Sequence, residues 1–160
     1  MKTQTKVLWF IIWVGICLGV GGISSIFTFP AVHGWYQTLI QPAFNPPDWI
    51  FGPVWTLLYI LMGIAAYLVW TKGTDKKCIL DALYIFVIQL ILNFTWTVIF
   101  FRFHCLWIAF ANIIALIVAI SITIYSFKCA SKIAAYLMIP YLLWVIFAAL
   151  LNIAVAILNR

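Results

Sequence analysis

Five stretches of this chain carry no charged side chain: Val7–Phe29, Ile50–Thr71, Ala82–Phe101, Cys105–Phe127 and Ile133–Asn159. Each is at least as long as the roughly 18–20 apolar residues that cross the hydrocarbon core of a bilayer. In hydrocarbon the backbone must satisfy its own hydrogen bonds, which leaves α-helices and closed barrels. None of the five stretches alternates apolar and polar residues as barrel strands do. The expected fold class is all-α: an integral membrane bundle of five transmembrane helices. The helices are expected at about 7–29, 50–71, 82–101, 105–127 and 133–158, in a single domain over residues 1–160. With 68% hydrophobic and 8% charged residues, a water-soluble domain of this length is excluded. The first run is too long for the apolar core of a signal peptide and ends without a small-x-small cleavage site, so it is read as a retained helix.

The few charges set the orientation. With five crossings, the N-terminus and the loops at 72–81 and 128–132 share one side, which holds Lys2, Lys6, Lys72, Lys76, Lys77, Lys128 and Lys132. Arg102 and Arg160 alone fall on the other side. This positive-inside bias predicts a cytoplasmic N-terminus and a C-terminus outside. The net charge of +6 therefore reads as a topology signal, and no nucleic-acid partner is expected. Without an organelle-targeting segment, the expected site is a bacterial cytoplasmic membrane, or the mitochondrial outer membrane if the source is eukaryotic. Cys17, Cys78, Cys105 and Cys129 are scattered, with no CxxC, so neither a disulfide framework nor a metal site is expected.

Between the first two runs lies Trp35–Tyr59, a stretch dense in proline and tryptophan: Pro42, Pro46, Pro47, Pro53, Trp35, Trp49 and Trp55. Proline fixes φ and biases the preceding residue towards extended backbone. Residues 30–49 are thus expected to form a stiff aromatic lid on the outer side. Beneath it, polar and aromatic residues recur at helical spacing. Gln89, Asn93 and Trp96 share a face, as do Trp144, Ala148 and Asn152 with Tyr141 nearby, and Trp55, Tyr59 and Met62. Asn112 adds a fourth amide. Helix directions place Trp55, Asn93, Trp96, Asn112 and Asn152 about 8–12 Å below the outer surface, at about 1.5 Å per residue. Asn93 and Asn152 are expected to share one hydrogen-bond network. Single buried amides are ordinary interhelical glue, but their convergence in one half of the bundle has the form of a small-molecule site.

No Asp, Glu, Lys or Arg lies within the middle of a span, where coupled transporters generally carry one. Paired carboxylates and nucleophile–base sets are also missing, so ordinary acid–base or covalent catalysis has no machinery here. Gly15-x-x-x-Gly19 is read as a packing face within the bundle, in preference to the alternative of a dimer seam. Pro140 is read as kinking the last helix by freeing the carbonyl of Tyr136.

The run from Trp35 to Tyr59, with Gln89–Trp96, Phe100-Phe101, Pro140–Trp144 and Leu151-Asn152, resembles the translocator protein family, also called tryptophan-rich sensory proteins or peripheral benzodiazepine receptors. The resemblance covers essentially the whole chain. It implies five transmembrane helices, a homodimer, and a pocket under the first long loop that takes porphyrins such as protoporphyrin IX and haem, and possible sterol binding. No obligatory cofactor is implied. By motif position the pocket would include Trp35, Trp49, Trp55, Asn93, Trp96, Trp144 and Asn152; Tyr59, Gln89, Asn112 and Ala148 join them from the helical pattern. The resemblance also carries an alternative, light-dependent porphyrin breakdown using Trp55 and Trp144. A further alternative is a membrane scaffold that binds a protein partner. Gln41 stands where the family has a loop lysine, and Ile153 where the animal sterol motif has tyrosine. For the porphyrin reading, the propionates are expected to meet the outer helix N-termini near Arg102 and His104.

Overall fold

The computed structural model describes residues 3–160; Lys2, part of the basic asymmetry, lies outside them. The helices are α1 (Thr3–Val32), the short α2 (Trp35–Thr38), α3 (Phe51–Trp70), α4 (Lys77–Thr97), α5 (Leu106–Phe127), α6 (Lys132–Leu137) and α7 (Ile139–Leu158). Among the described residues, five segments are long and apolar enough to cross a membrane: Gln4–Thr38, Asp48–Trp70, Lys77–Arg102, Leu106–Phe127 and Lys132–Leu158. The fold is an all-α membrane bundle of five spans. Its outer surface is apolar where a soluble protein's would be polar, with Leu8, Ile26, Ile88, Leu143 and Tyr125 all exposed. Lipid tails are as apolar as these side chains, so close packing and interhelical hydrogen bonds must hold the helices together.

Close packing is clearest between α1 and α3. A methyl group on Gly63 would lie 2.6 Å from the Val14 Cα, and one on Gly21 2.5 Å from the Tyr59 ring. Both glycines are needed for the approach of the two helices. Gly15 and Gly19, expected to pack inside the bundle, do not: added methyls would meet nothing within 4 Å. The motif was legible, but which side of the helix faces its neighbours was not. Away from the lid, α4 and α5 close the core through Phe86 stacked on Phe127, with centroids 5.7 Å apart.

Several boundaries differ from those expected, because charge-free length marks the hydrocarbon and helices continue past it. α1 runs through Pro30 to Val32, and α4 starts at Lys77, placing Asp81 inside the helix. The last span is broken at Met138 into α6 and α7. Pro140 does not interrupt a continuous helix; it sits in the first turn of α7, where a missing N–H costs least. The Met138 N–H bonds the Ala135 carbonyl, and the helix resumes with Leu142 N–H donating to the Met138 carbonyl at 3.1 Å. At its far end α4 widens into a π-turn over Val98–Arg102. The Phe103 N–H reaches back five residues to Val98, and His104 then reverses the chain at φ 57°.

Candidate functional site

Beneath the loop that follows α1, the helices enclose a cavity of about 330 Å³. Trp55 and Tyr59 of α3 form one wall, and Trp144, Ala148 and Asn152 of α7 another. Trp96 and Thr97 of α4 and Phe100 and Phe101 of the π-turn form a third, facing Gly21, Ser24 and Thr28 of α1. Tyr36 of α2 stands at the top. A π-turn adds a residue to one helical turn and is frequent at functional sites; here it brings two consecutive phenylalanines to the same cavity. Among the described residues, no charged side chain lines it.

Six of the eleven residues singled out in the sequence line this space: Trp55, Tyr59, Trp96, Trp144, Ala148 and Asn152. The other five do not. Asn93 is fully buried behind the wall. It accepts from the Tyr59 hydroxyl at 2.6 Å and donates to the Tyr141 hydroxyl at 3.0 Å, tying α3, α4 and α7. Gln89 is deeper still, its amide nitrogen 4.0 Å from the Met62 sulfur. Asn112 turns to Thr95 at 3.0 Å. Trp35 lies behind Phe100, stacked on His104 with centroids 3.9 Å apart and 14° between planes. Trp49 is 74% exposed, on a 3₁₀ turn (Asp48–Ile50) before α3.

The expected shared network of Asn93 and Asn152 is two networks. Asn152 accepts from the Trp96 indole N–H at 3.2 Å and donates to the Leu106 carbonyl at 2.9 Å. Helical spacing ranks residues by depth and face, and both amides fit it. It does not decide which neighbouring helix each amide meets. Arg102 and His104 are exposed, and neither lines the cavity.

The covering loop is folded on itself. Tyr36 donates to Asn45 Oδ1 at 2.9 Å, the Asn45 amide to Gln41 Oε1 at 2.7 Å, and the Gln41 amide to the Tyr36 carbonyl at 3.1 Å. Asn159 then clasps it from the end of α7, accepting from the Ile40 N–H at 2.9 Å and donating to the Ile40 carbonyl at 3.0 Å. Phe44 meets Phe147 edge-on.

Most hydroxyls in the wall are spent on their own helices. Ser25 bonds Gly22, Thr28 bonds Ser24, Thr56 bonds Gly52 and Thr97 bonds Asn93, each through a main-chain oxygen. Among the described residues five buried side-chain polar atoms have no partner, and two of them belong to the cavity wall: Ser24 Oγ on α1 and the Trp144 indole Nε1 on α7. Buried polar atoms are normally satisfied, so a cavity with such atoms in opposite walls is suited to a ligand that supplies acceptors. Ser24, Tyr36, Phe51, Phe101 and Phe147 were not among the sequence candidates. The serines and threonines of α1 recur at helical spacing, but lid residues such as Tyr36 carry no such signal.

The model of the TspO/MBR family matches residues 13–158, nearly the whole bundle. The chain belongs to the TspO/MBR family. It is 39% identical over 154 residues to the tryptophan-rich protein TspO of Chlorobaculum tepidum, covering 96% of this chain and 98% of that protein. It is 42% identical over 142 residues to the tryptophan-rich protein TspO of Archaeoglobus fulgidus, covering 89% and 91%. The human translocator protein is 37% identical over 130 residues, 78% of this chain and 76% of its own length. The TspO/MBR match takes in all of α3, α4, α5 and α7 and every cavity wall residue named above.

Proposed function

We propose that this TspO/MBR protein is a membrane receptor or carrier that binds porphyrin-type ligands in the aromatic cavity under the 30–49 loop. The observation that carries the reading is the wall itself. Three indoles, two phenols and several phenylalanines surround an uncharged space in which Ser24 Oγ and Trp144 Nε1 lack partners. Flat conjugated ligands gain roughly 0.5–1.5 kcal/mol per aromatic contact beyond area burial. At about 330 Å³ the cavity is at the small end of the roughly 300–1,000 Å³ typical of ligand sites. A tetrapyrrole would fill it and extend beyond it, with its propionates outside the uncharged interior.

The test is a tryptophan-fluorescence titration of the detergent-purified protein with protoporphyrin IX, haem and cholesterol, beside an Ala148→Trp variant that fills the cavity. Saturable quenching by the porphyrins, lost in the variant, supports the proposal. Equal quenching in both proteins places binding elsewhere and overturns it.

The photochemical alternative has one observation in its favour: Trp55 and Trp144 both face the cavity. Trp55 also packs on Tyr59 and Tyr141, with centroids 5.8 and 6.3 Å apart, giving an oxidised indole aromatic neighbours. Ligand loss in light but not in darkness separates breakdown from binding alone.

A further inference from the structure

Far from the cavity, the fold brings together two cysteines that the sequence keeps 51 residues apart. Cys78 is exposed in the first turn of α4, and Cys129 is exposed in the turn between α5 and α6. The Cys129 thiol donates to the Cys78 main-chain oxygen, with sulfur and oxygen 3.7 Å apart. So close an approach is compatible with the Cα separation of about 4.4–6.8 Å that a disulfide requires. Cys17 is buried within α1, and Cys105 lies at the lid end beside the Phe103 carbonyl, so neither competes for this contact. Lys76, Lys77, Lys128 and Lys132 flank the pair in sequence.

We propose that Cys78 and Cys129 are a redox-labile pair, a modification site at which a low-molecular-weight disulfide oxidises both thiols to an intramolecular bridge. The thiolate of Cys78 attacks one sulfur of the small disulfide and expels one small thiolate. Cys129, deprotonated in turn, attacks the Cys78 sulfur of the mixed disulfide and expels the second. The protein loses two protons and two electrons, and the small disulfide becomes two thiols. Desolvation and the neighbouring Cys78 side chain hold the Cys129 thiol above its ordinary range. It therefore keeps its proton longer and suits the second, resolving step. Lysines mark this end of the bundle as the cytoplasmic one, where a solvent-exposed pair serves transient oxidation and not permanent bracing. The bridge would join the foot of α4 to the turn leading into α6 and α7.

The test uses the full chain in detergent, exposed to oxidised glutathione and then labelled with a maleimide before intact-mass measurement. In the wild type, two labels should disappear together, the unlabelled mass should fall by two hydrogens, and dithiothreitol should restore both labels. A Cys129→Ser chain should instead retain a glutathione adduct on Cys78, and a Cys78→Ser chain should form no bridge. Unchanged labelling, stable adducts on both cysteines of the wild type, or a bridge between two chains would each overturn the proposal.

Discussion

The Tyr59 hydroxyl of α3 and the Asn93 side chain of α4 meet at 2.6 Å behind the cavity wall, and Asn93 passes the connection on to Tyr141 of α7. One amide thus fixes the two phenols on which Trp55 packs, although it does not line the cavity itself.

Asn93→Leu should accordingly destabilise more than it weakens binding, the reverse of what the sequence pattern suggests. It leaves two buried hydroxyls without their partner, at about 1–3 kcal/mol in a protein interior, and nearer 0.6–2 kcal/mol for an interhelical bond in a membrane. A fall in the thermal midpoint of the ligand-free protein, with porphyrin affinity within about fivefold, is expected. Affinity lost at unchanged stability would return Asn93 to the binding surface.

Trp144→Phe should do the opposite. The Trp144 indole N–H has no partner in the ligand-free protein, so its removal should leave thermal stability nearly unchanged. Affinity for a ligand bearing an acceptor should fall by about 1 kcal/mol, the scale of one hydrogen bond. Calorimetric titration of both proteins measures the difference. If the indole also takes part in photochemistry, absorbance decay under illumination at matched occupancy should slow sharply. Equal decay rates would remove Trp144 from that chemistry.

How much of this was open to sequence reasoning differs from residue to residue. The five spans followed from charge-free length, and six cavity residues followed from helical spacing combined with helix direction. Asn93 and Gln89 share a face with Trp96, as expected, but that face is broad enough to include both cavity wall and solid core. Only the neighbouring α3 and α7 decide which residue meets open space. The π-turn left no trace in composition, since Val98, Ile99 and Phe100 suit an ordinary helix equally well. Met138, where the last span breaks, is likewise an unremarked residue two positions before the proline that draws attention.

The two kinds of glycine on α1 and α3 can be separated experimentally. Gly63→Ala places its methyl 2.6 Å from the Val14 Cα, main chain that cannot swing aside, and overpacking of this sort costs about 1–3 kcal/mol. Gly19→Ala meets nothing within 4 Å and gains helix propensity. Thermal unfolding should rank Gly63→Ala well below wild type and Gly19→Ala at or above it. An equal loss in both variants would mean that Gly19 also serves a close contact.

The basic residues yield a topological expectation. A reporter fused after Arg160 should read as non-cytoplasmic, and one inserted at 72–77 as cytoplasmic. The opposite pair of signals would place the lid and the cavity mouth on the cytoplasmic side.

The π-turn at Val98–Arg102 also makes chain length, and not only chain composition, a determinant of the cavity. One residue corresponds to about 100° of rotation around a helix. Deleting a single residue there would let an ordinary α-turn form, and everything beyond it would be rotated and drawn inward. Phe100 and Phe101 would then point elsewhere, with no aromatic residue removed. Comparisons between related chains therefore need to count residues across this turn, because a gap of one position can change the shape of the cavity more than a substitution can.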